Sequence, residues 1–110
     1  MRRDDAVYVG HMADAARKAV AMVAEVDRHE FDSNEILRLA LAHLIQNVGE
    51  AARLVSPAFR DGHPDVPWKQ VIGMRHRVVH DYMAVDYDIV WNVVKMELPP
   101  LIPVLEKAVS

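Results

Sequence analysis

Apolar residues recur at helical spacing along most of this sequence, and this periodicity constrains the fold more than any other feature. In the first segment they follow one another at steps of three and four: Tyr8, Met12, Ala15, Ala19, Met22 and Val26. Steps of this size place the side chains in one stripe along an α-helix. No segment shows the sustained apolar and polar alternation that a half-buried strand requires. The pattern therefore predicts an all-α protein.

The first two helices are bounded by residues that typically begin and end helices. The first is expected over about residues 4–27. The second begins at Asp32, whose side chain can cap the free N–H groups of the first turn, while Glu35 can complete a capping box three residues later. It runs to about Val55, and its apolar stripe consists of Leu37, Leu41, Leu44, Val48, Ala51 and Val55.

The second half of the chain predicts one loop and two further main helices. Residues 56–67 are dense in Pro, Gly and Asp and are expected to form the loop. Asp65 would then cap a third helix over about residues 68–80, and a fourth helix would begin near Asp86. Three prolines are expected to break or kink this last helix before a final stretch over residues 101–109: Pro99, Pro100 and Pro103.

Four main helices with short connections predict a single domain over residues 1–110. Its expected architecture is an antiparallel bundle of four to five helices, with the last helix broken by prolines. The longest stretch without Lys, Arg, Asp or Glu has eleven residues, well below the roughly 20 that a membrane-spanning helix needs. The N-terminal residues do not resemble a signal peptide. We therefore expect a cytoplasmic protein without a membrane partner.

The charge of the chain limits how it could bind nucleic acid. It carries 13 Lys and Arg against 16 Asp and Glu, a net charge of −3. A protein that wraps duplex nucleic acid usually needs a clear surplus of basic side chains, so any such site must be small and local. The chain has no cysteine, which excludes a disulfide scaffold, a cysteine-ligated metal site and a thiol nucleophile.

A second row of residues on the predicted second helix is polar in its middle, where it contains His43, Asn47 and Glu50. Such a row is typical of the solvated flank of an amphipathic helix. Alternatively, Asn47 and Glu50 line a polar pocket between helices. The sequence leaves both interpretations open.

Residues 74–82 carry more proton donors and acceptors than any other part of the chain: two Arg, two His, one Asp and one Tyr. A histidine titrates near neutral pH, so it can accept a proton and later return it. An arginine stays cationic and holds a phosphate through its planar set of donors. An Arg and a His beside one phosphodiester could therefore cleave RNA without a metal ion, because the imidazole moves the proton and the guanidinium stabilises the charge on phosphorus.

The helical geometry of this segment raises a difficulty. On an ideal helix Arg75 and His80 are separated by about 140° around the axis, whereas Arg75 and Tyr82 are separated by only about 20°. Two arrangements would bring Arg75 and His80 together. The helix ends or distorts near His80, or two copies of the chain meet at this segment in a symmetric dimer.

The order of these residues resembles a known signature, in which Arg75 is followed by four residues, His80, one residue and Tyr82. This pattern is similar to that of the HepT-like toxins of the HEPN superfamily. Flanking sequences agree along nearly the whole chain: Gly49-Glu50-Ala51, Val66-Pro67-Trp68, Val85-Asp86, Val90-Trp91 and Leu98-Pro99.

The resemblance implies a homodimeric ribonuclease toxin that acts on RNA and requires no metal ion or other cofactor. Arg75 and His80 would form the catalytic pair, with His80 as acid or base and Arg75 on the phosphate. His76, Asn47 and Glu50 are the supporting candidates. His76 stands where such toxins often have an asparagine, so either imidazole could transfer the proton.

The resemblance also implies a partner. Such toxins usually occur with a minimal nucleotidyltransferase antitoxin, and the toxin dimer can form a larger complex with it. This enzyme adenylylates the tyrosine of the motif, which corresponds to Tyr82. An AMP group there would add bulk and negative charge beside Arg75 and so block RNA.

Three other interpretations compete with this one. Arg75 and His80 could pair with neighbouring aspartates on an ordinary helix surface. The bundle could be a non-catalytic module that binds a nucleotide or docks a nucleotidyltransferase. His76 and His80, four residues apart, could also bind a metal ion, with a third ligand from His43, Glu50 or Asp81.

Overall fold

The chain forms an α-helical bundle in the computed structural model, which describes residues 3–81 and 84–110. Its α-helices in chain order are α1 (Arg3–Met22), α2 (Arg28–Asp32), α3 (Glu35–Leu54), α4 (Pro57–Gly62), α5 (Trp68–Ile72), α6 (Met74–Val78), α7 (Tyr87–Asn92) and α8 (Leu98–Val109). A π-helical segment, Val93–Glu97, joins α7 to α8. The all-α prediction is confirmed.

Two short strands lie between α6 and α7, and the sequence pattern did not predict them. They are β1 (Val79–Asp81) and β2 (Ala84–Val85), which pair antiparallel. Strands of three and two residues are too short to show a period of two, so hydrophobic patterning cannot detect them.

The two 20-residue helices α1 and α3 form the centre of the bundle and run antiparallel. Asp5, in the first turn of α1, accepts hydrogen bonds from the backbone N–H and the hydroxyl of Ser56, two residues after the end of α3. Both donor–acceptor distances are 2.8 Å. The Asp5 side chain therefore ties the start of one helix to the end of the other.

The C-terminal helical stretch packs along α1, also antiparallel. Lys95, in the π-helical segment, donates to the carbonyl oxygen of Val23 at the end of α1, at 2.8 Å. Farther along the C-terminal stretch, Glu106 of α8 pairs with Arg17, which precedes Val23 in α1, at 3.1 Å. The predicted antiparallel arrangement is thus present on both sides of α1.

Most residues predicted for the apolar stripes are buried, including Met12, Ala15, Ala19, Leu37, Leu41, Val48, Ala51 and Val55. Met22 is a correction, because its side chain is 39% exposed. The next residue, Val23, lies closer to the line of the stripe and takes the buried position instead. Among the helices of the described residues, none is long and apolar enough to cross a membrane.

The predicted end of the first helix and the predicted cap of the second are wrong. Helix α1 ends at Met22, and a separate helix, α2, begins after a capping box formed by Asp27 and Glu30. Because Asp32 belongs to α2, it cannot cap α3. The N-cap of α3 is Asn34, whose side chain accepts from the backbone N–H of Leu37 at 3.0 Å.

The segment predicted as a loop at residues 56–67 contains helix α4. Ser56 caps this helix by accepting from the N–H of Phe59, and a proline follows it in the first turn, a typical way to begin a helix. Asp65 does not cap the next helix. Helix α5 begins at Trp68 with Pro67 in the N-cap position and no side-chain cap.

The predicted third helix, residues 68–80, is interrupted at Gly73 and ends early. Gly73 separates α5 from α6, and its backbone N–H donates to the carbonyl oxygen of Lys69 at 3.1 Å. Helix α6 ends at Val78, and Val79 has the extended dihedral angles φ −117° and ψ 97°. The backbone of His80 therefore lies in β1 and not in a helix.

The prolines near the C terminus were expected to break or kink the last helix, but the helix is not broken at them. Helix α7 begins next to Asp86, as expected, and the Asp86 side chain caps it by accepting from the N–H of Ile89 at 3.2 Å. The helical path then widens into the π-helical segment and continues as α8, which contains Pro99, Pro100 and Pro103. Pro99 and Pro100 fall in the first turn of α8, where a missing N–H costs little.

The bond between Asp5 and Ser56 predicts a measurable loss of stability on substitution. Asp5 is only 3% exposed, so Asp5→Ala would leave two partly buried donors of Ser56 without their acceptor. We expect the free energy of unfolding in urea to fall by about 1–3 kcal/mol. The exposed neighbour Asp4 supplies the control, since Asp4→Ala should change stability by less than about 0.5 kcal/mol. Equal effects of the two substitutions would contradict this role of Asp5.

Candidate functional site

The segment that carries the predicted site turns from helix to strand between its two central residues. Arg75 lies in α6, and two residues after that helix ends His80 lies in β1. At the base of the two-stranded ribbon formed by β1 and β2, the backbone N–H of Asp86 donates to the carbonyl oxygen of Val78 at 2.6 Å. The angle of about 140° expected from an ideal helix therefore does not apply to this pair. One of the two predicted arrangements, a helix that ends near His80, is present.

Two of the predicted site residues lie outside the part of the chain that supports a description of side chains. The backbone of His80 is placed in β1, but its side chain is outside that part, and Tyr82 is outside the described residues altogether. Arg75 and Tyr82 were expected to share a helix face. This expectation does not hold, because α6 ends at Val78, before Tyr82 is reached.

Arg75 and His76 line a groove of about 230 Å³ between α3 and the start of α6. Glu50, one of the supporting candidates, lies in the same groove. The structure thus brings together three predicted site residues that the sequence separates by about 25 positions. The full lining is Gly49, Glu50, Arg53, Lys69, Ile72, Gly73, Arg75 and His76.

The charge of this groove is positive on balance, although the chain as a whole is acidic. Arg53, Lys69 and Arg75 are cationic, and Glu50 is the single acidic residue of the lining. The Glu50 carboxylate pairs with Arg53 at 2.5 Å. This hydrogen bond, helped by the more distant charge of Arg75, lowers the pKa of Glu50. The sequence analysis missed Arg53 and Lys69, although Arg53 follows Glu50 at a helical spacing of three.

The two arginines of α6 have different surroundings. Arg77 donates two hydrogen bonds to Glu97 of the π-helical segment, both at 2.7 Å. Arg75 is exposed and makes no hydrogen bond or ion pair to any other described residue. Arg75 can therefore bind an external anion, whereas Arg77 holds α6 against the C-terminal helical stretch. π-Helical segments are often found at functional sites, and here the segment supplies the carboxylate that anchors α6.

Gly49 allows α3 to approach the turn between α5 and α6. A Cβ atom at Gly49 would lie 3.2 Å from the carbonyl oxygen of Val71 and 3.8 Å from the backbone nitrogen of Arg75. The first distance is tighter than an ordinary van der Waals contact, and a backbone oxygen has little freedom to move away. A larger residue would therefore push apart the two walls of the groove.

Asn47 and Glu50 line a second cavity, of about 370 Å³, between α1 and α3. This agrees with the interpretation of these residues as part of a polar pocket between helices. Glu50 borders both cavities, whereas Asn47 borders only this one and is not brought next to Arg75. The side of the cavity formed by α1 includes Tyr8, His11, Asp14 and Lys18.

The metal interpretation needs a third ligand beside His76 and His80. Within residues 3–81 and 84–110, and considering only the side chains described there, no three His, Asp or Glu side chains are grouped so that they could hold one metal ion. His80 and Asp81 are not among these side chains, so the His76–His80 pair stays an interpretation of the sequence.

A helical bundle in which an exposed arginine, without a partner among the described residues, lies in a small basic groove is of a class suited to binding a phosphate group. The family model described as "Ribonuclease HepT-like" matches residues 12–108. The chain therefore belongs to the HepT-like ribonuclease family, as the sequence resemblance predicted.

Curated relatives support the same assignment. A protein of Methanocaldococcus jannaschii named "Putative RNase" is 30% identical over 100 residues, which cover 91% of this chain and 92% of that protein. A protein of Caldanaerobacter subterraneus with the same description is 30% identical over 94 residues, 86% of this chain and 84% of its own length. The "Probable ribonuclease HepT" of Thermococcus cleftensis is 27% identical over 107 residues, 97% of each chain. No solved structure matches the chain significantly.

The pair formed by Arg77 and Glu97 predicts a pH-dependent contribution to stability. Hydrogen bonds from Arg77 lower the pKa of Glu97 below its ordinary value. The stabilisation is therefore complete above the pKa of an unfolded glutamate, about 4.3, and is lost as the pH falls through the lower pKa of the folded state. We expect Glu97→Gln to be less stable than the wild type at pH 7, and this difference to shrink as the pH decreases below about 4.

Urea unfolding at a series of pH values from about 7 to 3 measures this difference. The exposed Glu25 provides the control, because it forms no ion pair with a described residue. Glu25→Gln should show a small difference from the wild type at every pH. A stability loss of Glu97→Gln that stays constant over the whole range would contradict an ionic role of this pair.

Proposed function

We propose that this chain is an endoribonuclease that cleaves RNA without a metal ion and acts as the toxin of a toxin–antitoxin system. The observation that carries the proposal is the exposed Arg75, which has no partner among the described residues and lies in a basic groove directly before the strand that contains His80. Family membership and the names of the relatives, which are described as RNases, support the same substrate class.

In this mechanism Arg75 binds the scissile phosphate. Its guanidinium presents several N–H donors in one plane, which match the oxygens of a phosphodiester. Negative charge on those oxygens increases as the fifth oxygen bonds to phosphorus, so a fixed cation stabilises the transition state more than the ground state. Arg53 and Lys69 add positive charge to the same groove and attract the RNA backbone.

The imidazole of His80 acts as the acid or base. The 2′-hydroxyl oxygen attacks phosphorus, and its proton passes to a base. The bond from phosphorus to the 5′-oxygen then breaks, and that oxygen takes up a proton. The products are a 2′,3′-cyclic phosphate and a free 5′-hydroxyl. His76, which lies in the groove beside Arg75, is the alternative or second group for these proton transfers.

Inhibition by the antitoxin would occur at Tyr82. A minimal nucleotidyltransferase transfers AMP from ATP to the tyrosine oxygen, which forms a bond to the α-phosphorus while pyrophosphate leaves. The attached AMP carries a negative phosphate that would pair with the cations of the groove and exclude RNA. We further propose that the active form is a homodimer, which can associate with the antitoxin in a larger complex.

The first test measures RNA cleavage by the purified protein in the presence of EDTA. We expect cleavage that leaves 2′,3′-cyclic phosphate ends, and growth arrest when the chain is expressed alone. Arg75→Ala and His80→Ala should each reduce the cleavage rate by about 100-fold or more, which is the usual contribution of a positioned acid, base or charge. His76→Ala tests the second imidazole, since a loss equal to that of His80→Ala would assign it a catalytic role.

Two control variants remove similar groups far from the groove. His29→Ala and Lys107→Ala change exposed residues on α2 and α8 and should leave both cleavage and toxicity unchanged. Activity that disappears with EDTA and returns with a divalent cation would contradict the metal-independent mechanism. A folded wild-type protein that cleaves no RNA but binds the nucleotidyltransferase would favour the non-catalytic module instead.

The second test concerns Tyr82 and uses intact-mass measurement after co-expression with a nucleotidyltransferase encoded beside this chain. We expect one or more AMP additions on the wild type, loss of RNA cleavage in the modified protein, and no addition on Tyr82→Phe. Tyr87→Phe is the matched control and should be modified like the wild type. An unmodified wild type, or an addition that persists on Tyr82→Phe, would exclude inhibition through this residue.

A further inference from the structure

A further cavity adjoins the groove that contains Arg75, which we name the Arg75 groove. Its volume is about 490 Å³, and its wall includes Arg60, Trp68, Lys69 and Ile72. Lys69 and Ile72 also line the Arg75 groove. The two cavities are therefore neighbours, separated by the ridge that Lys69 and Ile72 form on α5. We name the further cavity the Arg60 cavity.

Arg60 is a cation without a partner in the wall of this cavity. Its side chain makes no hydrogen bond or ion pair to another described residue, and its Nε atom is buried. Buried donors are nearly always hydrogen-bonded in folded proteins, because a polar group that is removed from water without a partner is unfavourable. The side chain is long and flexible, so its guanidinium can turn toward an acceptor. An anion that enters the cavity would supply that acceptor.

Aromatic packing fixes another part of the cavity wall. The ring of Trp68 meets that of Phe59 edge to face, with the centroids 6.2 Å apart. The indole N–H of Trp68 donates to the carbonyl oxygen of His63 at 2.9 Å. These contacts tie the start of α5 to α4, the helix that carries Arg60. The Arg60 cavity is thus formed before a ligand binds, as is usual for binding sites.

Positive charge outweighs negative charge across the two cavities. Glu50 is paired with Arg53, whereas Asp61 is exposed and forms no ion pair within the part of the chain that the structure describes. The cations of the two linings are Arg53, Arg60, Lys69 and Arg75, and the carboxylates are Glu50 and Asp61. The surplus of positive charge therefore extends from the Arg75 groove over Lys69 to Arg60.

We propose that the Arg60 cavity is a second binding subsite for the backbone of the RNA strand whose scissile phosphate lies at Arg75. The strand crosses α5 at Lys69, and Arg60 binds the phosphate of a nearby nucleotide. A helix with its side chains is about 10 Å wide, so a strand of a few nucleotides reaches both cavities. The proposal rests on the proposed function, because it takes the RNA bound at Arg75 as its starting point.

The chemistry of the subsite favours single-stranded RNA with little preference for sequence. Arg60 and Lys69 offer only donors, which suit phosphate oxygens, and phosphate contacts carry no sequence information. Pro57 and Ile72 add apolar surface against which a ribose or base can pack. Trp68 is only 9% exposed, which leaves little ring surface for base stacking. A duplex is stiff over many base pairs, whereas a single strand can bend into cavities on both sides of a helical ridge.

The affinity for RNA that cannot be cleaved tests the subsite. The probe is a fluorescent oligonucleotide of about ten nucleotides, within the range of single-strand sites, whose 2′-oxygens are all methylated. We expect Arg60→Ala to weaken binding by about tenfold in fluorescence anisotropy, the usual effect of losing one charge-assisted contact. The slope of log K against log salt concentration should fall by about 0.7. Lys107→Ala removes the same charge on α8, outside both cavities, and should change neither quantity.

The dependence on RNA length separates a subsite from a general effect of charge or folding. A methylated dinucleotide, used as a competitor, has a single internucleotide phosphate, which cannot occupy the Arg75 groove and the Arg60 cavity together. Arg60→Ala should therefore weaken dinucleotide binding by less than about twofold, against about tenfold for the long oligonucleotide. Equal losses for the two lengths would overturn the subsite.

Asp61 provides a second variant that does not alter the partly buried Arg60. Asp61→Asn removes a negative charge from the lining of the same cavity, so binding of the long oligonucleotide should become about two- to threefold tighter. Asp4→Asn is the matched control, because Asp4 is an exposed aspartate on α1, and it should leave the affinity unchanged. Circular dichroism confirms that all variants are folded. An affinity of Asp61→Asn equal to or lower than that of the wild type would contradict a phosphate in this cavity.

The outcomes also distinguish the subsite from the nuclease mechanism and from a site for a free anion. The methylated probe lacks the attacking hydroxyl, so an inactive protein with the expected affinities would support the subsite and refute only the nuclease. An active nuclease whose RNA affinity is insensitive to both Arg60→Ala and Asp61→Asn would refute only the subsite. Inorganic phosphate is the second competitor. If Arg60→Ala weakens the binding of inorganic phosphate but not that of the long oligonucleotide, the cavity holds a free anion and the proposal is overturned.

Discussion

The close approach of α3 to the turn between α5 and α6 is the contact on which the site depends. It is possible because residue 49 has no side chain, since a Cβ there would lie 3.2 Å from the Val71 carbonyl oxygen and 3.8 Å from the Arg75 nitrogen. This contact sets the distance between the helix that carries Glu50 and Arg53 and the helix that carries Arg75. On the opposite side of α6, the double hydrogen bond from Arg77 to Glu97 holds the same helix against the π-helical segment. The position of Arg75 thus follows from one backbone contact and one ion pair.

The same two contacts help to form a positively charged groove on an acidic chain. The net charge of −3 describes the whole surface, but a ligand responds to charges within about one Debye length, about 8–10 Å at physiological salt. Within the groove, Arg53, Lys69 and Arg75 outweigh Glu50. Glu97, an acidic side chain of the C-terminal stretch, is already paired with Arg77 of α6 and therefore does not compete for Arg75. Composition is therefore a poor guide to the affinity of a small site, although it does argue against contact with a long duplex.

Features that depend on a long helical periodicity could be predicted from the sequence. Features that depend on short segments could not. The stripes of α1 and α3 extend over five turns, so their class and most of their buried residues could be predicted. The cap of α3 was assigned to Asp32 and not to Asn34, because no local signal shows that Asp32 is already part of α2. The end of α6 at Val78 was only one of two open alternatives, since hydrogen bonding from Asp86 to Val78 cannot be inferred from spacing. Arg53 and Lys69 were missed for a similar reason: their groove exists only after α3 meets the turn at Gly73.

The position of Glu50 connects the two surfaces of the bundle. Its side chain borders the cavity between α1 and α3 on one side and the Arg75 groove on the other, and it is paired with Arg53. Any molecule that covers the cavity between α1 and α3 therefore lies next to this ion pair. If such a molecule supplied a cation to Glu50, the carboxylate would hold Arg53 less tightly, and more positive charge would be available to a phosphate in the groove. If it supplied an anion, less positive charge would be available to a phosphate in the groove. Occupation of the cavity between α1 and α3 and the affinity of the groove for an anion would for this reason be linked through the Glu50 side chain.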